Sequence, residues 1–400
     1  MTLYVVIPGD RETRTGGYGY DRRIVAALRV RGWAVDVLGL DHGFPSPTPA
    51  ARDQAARVLA AIPDGALVLV DGLALGALPD EVEREAGRLR IVALVHHPLA
   101  AETGIDPALA SALEISERRA LAAARSVVVT SRATAATLAD YGVTADRLAV
   151  VEPGTDPAPI ARGSGGAGAL VAEAFRPATA ALKGCATSGS QPSAIDHEPS
   201  AIAHQASAIE HEPPALSHRP SDVALLCVAT LTPRKGYELL VRALAVIPHR
   251  NWRLTCAGSL DRDAPTVARV RRLIRDSGLE DRVSLAGDMD AAALAVEYDR
   301  ADLFVLPTLY EGYGMAVAEA LARGLPVVST ATGAIEDLVR DGGIVVPPGD
   351  LAAFTAALSG VIADARLRAR LAAGARRVRD RLPTWDTAAA SMAQALERVI

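Results

Sequence analysis

The sequence is short of the features that would tie it to several protein classes. Its 400 residues include only three cysteines, Cys185, Cys227 and Cys256, an odd number without metal-type spacing. That excludes a disulfide framework or a zinc module, and the thiols read as isolated groups in a reducing compartment. A formal net charge of −5 gives no basic excess to attract nucleic acid. No apolar run approaches the roughly 20 residues of a membrane-spanning helix. Met1 leads directly into LYVVIPGD, without the basic region and cleavable apolar stretch of a secretory leader. The expectation is a cytoplasmic protein, with a peripheral contact at the inner face of a membrane left open. Also missing are an Asp-x-Asp pair and a dinucleotide fingerprint, since GGYG near the start is not Gly-x-Gly-x-x-Gly.

What is there is an α/β pattern. Half of the residues are hydrophobic and 22% are charged, as in a globular protein, and the length suffices for two cores. Short apolar runs alternate with alanine-rich helical stretches. The expected strands are Leu3–Ile7, Ala34–Leu38, Leu67–Val70, Ile91–Val95, Ser126–Thr130 and Leu148–Val151, then Ala224–Ala229, Trp252–Ala257, Val283–Ala286, Leu303–Leu306, Pro326–Ser329 and Ile344–Val346. Strands apolar on both faces and separated by helices indicate parallel sheets covered on both sides. Two sets of six predict two Rossmann-like, doubly wound domains. We place the first at residues 1–157 and the second at 223–385, with the last helix, 386–400, packing back on the first.

Residues 158–222 belong to neither pattern. They are rich in Ala, Ser, Gly and Pro and contain a seven-residue unit four times: SAIDHEP, SAIAHQA, SAIEHEP and PALSHRP. One large aliphatic residue per unit and three terminal prolines argue against a coiled coil. The segment reads as a disordered interdomain insert. It carries His197, His204, His211 and His218 in register, which suits either a weak metal-binding tract or a duplicated solvated linker.

The most informative stretch is LFVLPTLYEGYGMAVAEALARGLPVV, from Leu303. Strand, glycine turn, helix and strand is how α/β proteins hold a phosphorylated ligand at the carboxyl ends of their strands. Gly312 and Gly314 let backbone approach a ligand, and Glu311 and Glu319 can grip sugar hydroxyls. Ala316, Val317, Ala318, Ala320 and Leu321 surround Glu319, and a carboxylate in that company needs a partner. The combination points to a sugar nucleotide. Upstream, Arg234 and Lys235 sit in a strand-to-helix turn beside Gly236, where two cations can neutralise a diphosphate through charge-assisted hydrogen bonds of roughly 1.5–3 kcal/mol each. His96 and His97 end the strand IVALV, at the sheet edge where ligands bind, with Glu102 a few residues on.

These residues resemble a known family. YEGYGMAVAEALARGLPVV looks like the Glu-x7-Glu signature of retaining glycosyltransferases of family 4, and ATLTPRKG takes the place of their Gly-Arg-x-x-x-x-Lys-Gly turn. TGGYGYD, VALVHHPLAAETG, VVVTSRATAATL and VVEPGTDPAP extend the likeness over nearly everything outside the insert. The resemblance implies a GT-B fold, with a nucleotide-diphosphate sugar on the second domain and the acceptor on the first. It implies that Lys235 contacts the diphosphate, Glu319 the ribose and Glu311 the transferred sugar. Backbone amides of Gly312, Tyr313, Gly314 and Met315 would meet sugar or phosphate. Gly287, Asp288 and Met289 would lie beside the base, Gly258 would line the donor cleft, and Gly16 and Gly17 would let backbone approach the phosphates. His96, ahead of His97, would touch the donor sugar or the reacting face, with Glu102 on the acceptor side. One position departs: Thr230 stands where the turn usually has arginine, and Arg234 is the candidate to compensate.

The implied reaction is transfer of a hexose with retention, the leaving phosphate accepting the acceptor's proton while the protein positions groups and stabilises charge. No cofactor and no required metal are expected. An epimerase or phosphorylase on the same fold is the alternative, and a non-catalytic sugar-nucleotide-binding protein a further one. Arg22, Arg23, Arg29 and Arg31 suit either an anionic membrane surface or a solvated helix face. Acceptor, donor base and oligomeric state are not specified by any residue pattern.

Overall fold

The computed structural model describes residues 2–165 and 222–400, which fall within one compact unit. The repeat units with their histidines, and Cys185, lie outside the described residues. Twelve parallel strands make two sheets. The first holds β1 (Thr2–Pro8), β2 (Ala34–Leu40), β3 (Leu67–Asp71), β4 (Arg90–Val95), β5 (Ser126–Val129) and β6 (Leu148–Val150), ordered β2-β1-β3-β4-β5-β6. The second holds β7 (Val223–Val228), β8 (Trp252–Ala257), β9 (Val283–Gly287), β10 (Leu303–Leu306), β11 (Val327–Thr330) and β12 (Gly343–Val346), ordered β12-β11-β10-β7-β8-β9. Each expected strand is present, with ends shifted by a residue or two. Pro326 stays outside β11 and contributes only its carbonyl, which accepts from Phe304 N at 2.9 Å.

The strand order reverses between β1 and β3 in the first sheet and between β7 and β10 in the second. At such a reversal the loops leaving two neighbouring strands part to opposite faces and open a crevice at the carboxyl edge. The loops that follow β1, β3, β7 and β10 therefore border these crevices.

Apolar residues fill both faces of each sheet. In the second lobe Tyr298, Phe304, Leu240, Trp252 and Phe354 are buried in one cluster. In the first lobe, the helix Gly16–Val30 starts at Thr15, whose hydroxyl accepts from Tyr18 N, and buries Tyr20, Asp21, Ile24, Val25 and Leu28. The helix Trp385–Glu397 places Ala388, Met392 and Leu396 in that same cluster, so the chain's end returns to the first sheet. Each such Leu or Met contributes about 1.5–3 kcal/mol on burial.

The crossing between lobes is tied down on its first side. Thr155 N donates to Pro383 O, Ala161 N to Arg323 O and Gly163 N to Asp299 O, at 2.8–2.9 Å. Residues 161–163, assigned above to the insert, thus already bond to the second lobe. Among the described residues no helix is long and apolar enough to cross a membrane. The three arginines of the first helix and Arg31 just after it are engaged within the chain: Arg22 with Thr13 O, Arg29 with Val35 O, Arg31 with Asp386, and Arg23 with Asp156 and the Trp385 ring.

Candidate active site

The two loops at the second sheet's reversal carry the charges. β7 runs into the turn Pro233–Lys235, and Gly236 closes it at φ 68°. A Cβ there would stand 2.0 Å from Pro307 O, so only glycine lets this turn lie against the end of β10. Leu309 N and the Thr308 hydroxyl both donate to Arg234 O, pinning the turn to the loop that bears Glu311. Lys235 Nζ donates to Glu311, and Arg234 lies 4.0 Å from the same carboxylate and donates to Tyr310 O. Burial raises the Glu311 carboxyl, but Lys235 and Arg234 outweigh it and hold its pKa below the usual range. The Lys235 ammonium is pulled down by burial, Glu311 opposing and Arg234 adding to the effect. This is a compact group of two cations and one carboxylate.

After Glu311 the chain turns through Gly314, at φ 96°, into the helix Met315–Ala322, whose first turn has no side-chain cap. Its leading N–H groups are the unpaired donors a helix offers an anion. Glu319, on that helix, does have a partner: the Tyr298 hydroxyl donates to Oε2 at 3.0 Å. Arg323 lies over the Tyr298 ring at 4.2 Å. Burial lifts the Glu319 pKa, with Arg323 and Tyr298 pulling back.

The first lobe meets this group directly. Glu102 lies 3.2 Å from Arg234 Nε and 3.6 Å from His97 Nε2, and the His97 and Tyr310 rings are 5.8 Å apart. A Cβ on Gly312 would lie 2.4 Å from the His96 carbonyl oxygen, so the glycine admits main chain of one lobe against the other. Met315 packs against Gly16 and Gly19. The structure thus brings Arg234, Lys235, Glu311, His97, Glu102 and the main chain of His96 and Gly312 into one place, with Gly16 close by.

His96 itself is oriented otherwise than expected. It was expected to touch the donor sugar or the reacting face, and its Nε2 is directed at two buried carboxylates, Asp21 at 3.2 Å and Asp71 at 3.5 Å. A cation of this kind needs compensating charge when withdrawn from water, and the carboxylates draw it inward. Gly17 lies beside the ring, 3.5 Å from Cδ2 for an added Cβ.

Gly258, Gly287, Asp288 and Met289 form a second group, at the ends of β8 and β9. Gly258 N donates to Gly287 O at 2.8 Å, Met289 O accepts from Arg14 of the first lobe at 2.5 Å, and Asp288 is exposed. Thr230 lies against Gly258 by its backbone. Tyr313 stands apart. It lines a cavity of about 330 Å³ with Arg132, Glu152, Asp337 and Arg340, which none of the other expected residues lines.

Sequence reasoning missed Asp21, Asp71, Tyr298, Tyr310 and Arg14. A signal existed for Asp21: it lies four residues before Val25 and seven before Leu28, on the buried stripe of its helix. Asp71 ends the apolar run LVLV. Nothing local marks Tyr298 as the partner of Glu319, 21 residues away.

Residues 209–378 match the family described as glycosyl transferases group 1, and residues 68–159 match glycosyltransferase family 4. The chain is similar to D-inositol 3-phosphate glycosyltransferase of Xylanimonas cellulosilytica, 37% identical over 170 residues, 41% of this chain and 40% of that one. It is also similar to the GDP-mannose-dependent alpha-(1-6)-phosphatidylinositol monomannoside mannosyltransferase of Mycolicibacterium smegmatis, 30% identical over 43% of this chain and 47% of that one. The matched part therefore spans less than half the length of either relative. Among solved structures, sucrose-phosphate synthase from Thermosynechococcus elongatus superposes with a TM-score of 0.74 at 20% identity, over 100% of this chain and 98% of that one. The Anabaena protein HepE in complex with UDP and glucose gives 0.69 at 16% identity, over 100% of both chains.

Proposed function

Because the chain belongs to family 4 of the glycosyltransferases, with the GT-B fold, we propose that it moves a hexose from a nucleotide-diphosphate sugar to an acceptor hydroxyl with retention of configuration. The observation that carries the reading is the pairing of Arg234 and Lys235 with Glu311 where β7 and β10 diverge. The two cations, held in place by Glu311 and Glu102, stand at a crevice edge that also offers uncapped helix N–H groups. A diphosphate is the ligand chemistry that fits it.

In this reading the donor's phosphates take Lys235 and Arg234, and Glu311 turns its oxygens to hydroxyls of the sugar. Glu319 holds the ribose diol, oriented by Tyr298. The β8 and β9 ends, Gly258 and Gly287 to Met289, lie beside the base. Negative charge grows on the leaving phosphate in the transition state, and groups already fixed beside it stabilise that charge without reorganising. The leaving phosphate takes the acceptor's proton on the same face, so no protein nucleophile is used. Arg234 and Lys235 supply the neutralisation, and no divalent metal is required. His97 and Glu102 stand on the acceptor side, which the first lobe provides.

Two relatives are named for inositol-bearing acceptors and one for GDP-mannose, and HepE is titled as a complex with UDP. UDP-, GDP- and ADP-sugars are accordingly the donors to test, and inositol phosphates the first acceptors. A preferred donor stabilises the fold by mass action and raises the Tm. Radiolabelled sugar should then appear on the acceptor with the donor's anomeric configuration, in the presence of EDTA. Donor isomerisation, or a dependence on inorganic phosphate, would contradict the proposal.

A further inference from the structure

Three ionisable side chains meet at the first sheet's reversal, beneath the cleft. Asp21 lies on the helix that follows β1, Asp71 ends β3 and His96 follows β4. His96 Nε2 is 3.2 Å from Asp21 Oδ1 and 3.5 Å from Asp71 Oδ2. Both carboxylates are almost wholly buried, with side chains 1% and 3% exposed. Asp71 Oδ1 accepts from Leu73 N at 2.8 Å, while Asp21 Oδ2 has no partner among the described residues. The Tyr20 ring meets the imidazole edge-on at 5.3 Å, and the Thr130 hydroxyl donates to the His96 carbonyl. That carbonyl is the atom against which Gly312 of the other lobe closes.

We infer that Asp21 and Asp71 are positioning residues, which take the Nε2–H of His96 between them and thereby fix the main chain at the end of β4 for docking of the Gly312 turn. The inference rests on the transferase reading for its catalytic consequence and on geometry alone for the grip. Its side chain anchored inward, His96 presents its carbonyl and the following residue, His97, to the second lobe. A single imidazole between two carboxylates is over-supplied with negative charge. Burial lifts Asp21 above the usual carboxylate range, His96 opposing and Asp71 adding. Burial would lower the imidazole, but Asp21 and Asp71 prevail and raise it. The trio therefore relieves its buried charge by keeping the imidazole protonated. Among the described residues, the other charged or titratable groups facing it are Tyr18, Tyr20 and Arg22 of the same helix.

A rival occupant exists, because the three ligand atoms lie within 4.8 Å of one another, close enough for a divalent cation. The two occupants demand opposite states of one atom: the grip needs Nε2 protonated, whereas a metal needs its lone pair. Nitrogen-15 spectra of the histidine rings in the full-length protein separate them, with His96 assigned by its loss in His96→Gln. The expected result at pH 8 is a ring protonated on both nitrogens, unaffected by manganese. In Asp21→Asn/Asp71→Asn the ring should be neutral at that pH; if the double variant fails to fold, Asp21→Asn alone should lower the ring's pKa measurably. With UDP-glucose and GDP-mannose as probes, release of nucleoside diphosphate should fall about tenfold in kcat with KM within about twofold, the signature of lost positioning. An unprotonated Nε2 in the wild type, or broadening by manganese, would overturn the inference. So would unchanged turnover in a variant whose ring has become neutral. Failure of the wild type to turn over either sugar nucleotide, with the ring protonated as expected, would instead count against the transferase reading and leave the grip standing.

Discussion

Each of the two sheets reverses its strand order once, but they use the crevice differently. At the second sheet's reversal the charges stand on loops: Arg234 and Lys235 after β7, Glu311 after β10, each partly open to the cleft. At the first sheet's reversal they are drawn beneath the edge, where Asp21 and Asp71 hold His96. One lobe offers charge to a ligand, and the other spends its charge on holding main chain in place. The carboxylates respond accordingly. Glu311 is kept ionised by its cations, whereas Asp21, and Glu117 on the helix Pro107–Ala123, are pushed toward their neutral forms by burial. Glu319 marks the limit of the contrast, since burial lifts it too although it lies in the second lobe.

The largest effect that would break this comparison is at Lys235. Replacing it by alanine removes a cation aimed at the developing phosphate charge and leaves Glu311 buried with Arg234 alone. Turnover should fall on the order of 10²–10³-fold with the fold intact by circular dichroism; a variant within a few-fold of wild type would place the phosphate elsewhere. Next comes Gly312→Ala, whose new Cβ would stand 2.4 Å from the His96 carbonyl. Holding the lobes apart by even an ångström should cost about 10²-fold in kcat while nucleotide affinity changes less, because the new methyl meets the first lobe and leaves Lys235, Arg234 and Glu319 in place. Equal losses in both would show that the contact is merely structural.

A smaller effect sharpens the pH contrast. Glu117 Oε2 accepts from Leu99 N at 2.9 Å, its other oxygen has no partner among the described residues, and burial pushes its pKa up to about 8. A carboxyl raised in the folded state favours folding fully below its ordinary value near 4.5, and that support is lost as pH rises toward 8. Urea titrations should therefore show the wild type losing up to about 3 kcal/mol between pH 5 and 7, and Glu117→Gln losing much less. Glu311 runs the other way: its pairing is present above the ordinary carboxylate pKa and is lost in acid. Parallel pH profiles for wild type and Glu117→Gln would remove the first half of the contrast.

The second lobe's site was legible because its chemistry is local. Gly312, Gly314, Glu311 and Glu319 sit within one strand-turn-helix unit, and Arg234 and Lys235 within another, so spacing alone brings each set together. The strands were legible for a related reason: buried parallel strands are apolar on both faces, as LVLV before Asp71 and LFVL before Pro307 show. The first lobe's trio was not, because Asp21, Asp71 and His96 follow three different strands and only the sheet's order unites them. YDRR also looks like a solvated helix face until Ile24, Val25 and Leu28 fix which side is buried. The inward turn of His96 follows from those two carboxylates, whereas the family resemblance implied contact with the donor sugar or the reacting face.

The central claim, that a sugar nucleotide lies along the β7–β10 reversal, is tested most directly by titration calorimetry on Glu319→Ala. Glu319 belongs to the second lobe, has Tyr298 as its hydrogen-bonding partner, and is not part of the Lys235–Glu311 pair. The UDP-, GDP- or ADP-sugar that most stabilises the wild type should bind this variant at least about tenfold more weakly, the loss of roughly one charge-assisted hydrogen bond, with the Tm of the free protein nearly unchanged. An affinity equal to the wild type's would contradict the assignment of the donor to this crevice.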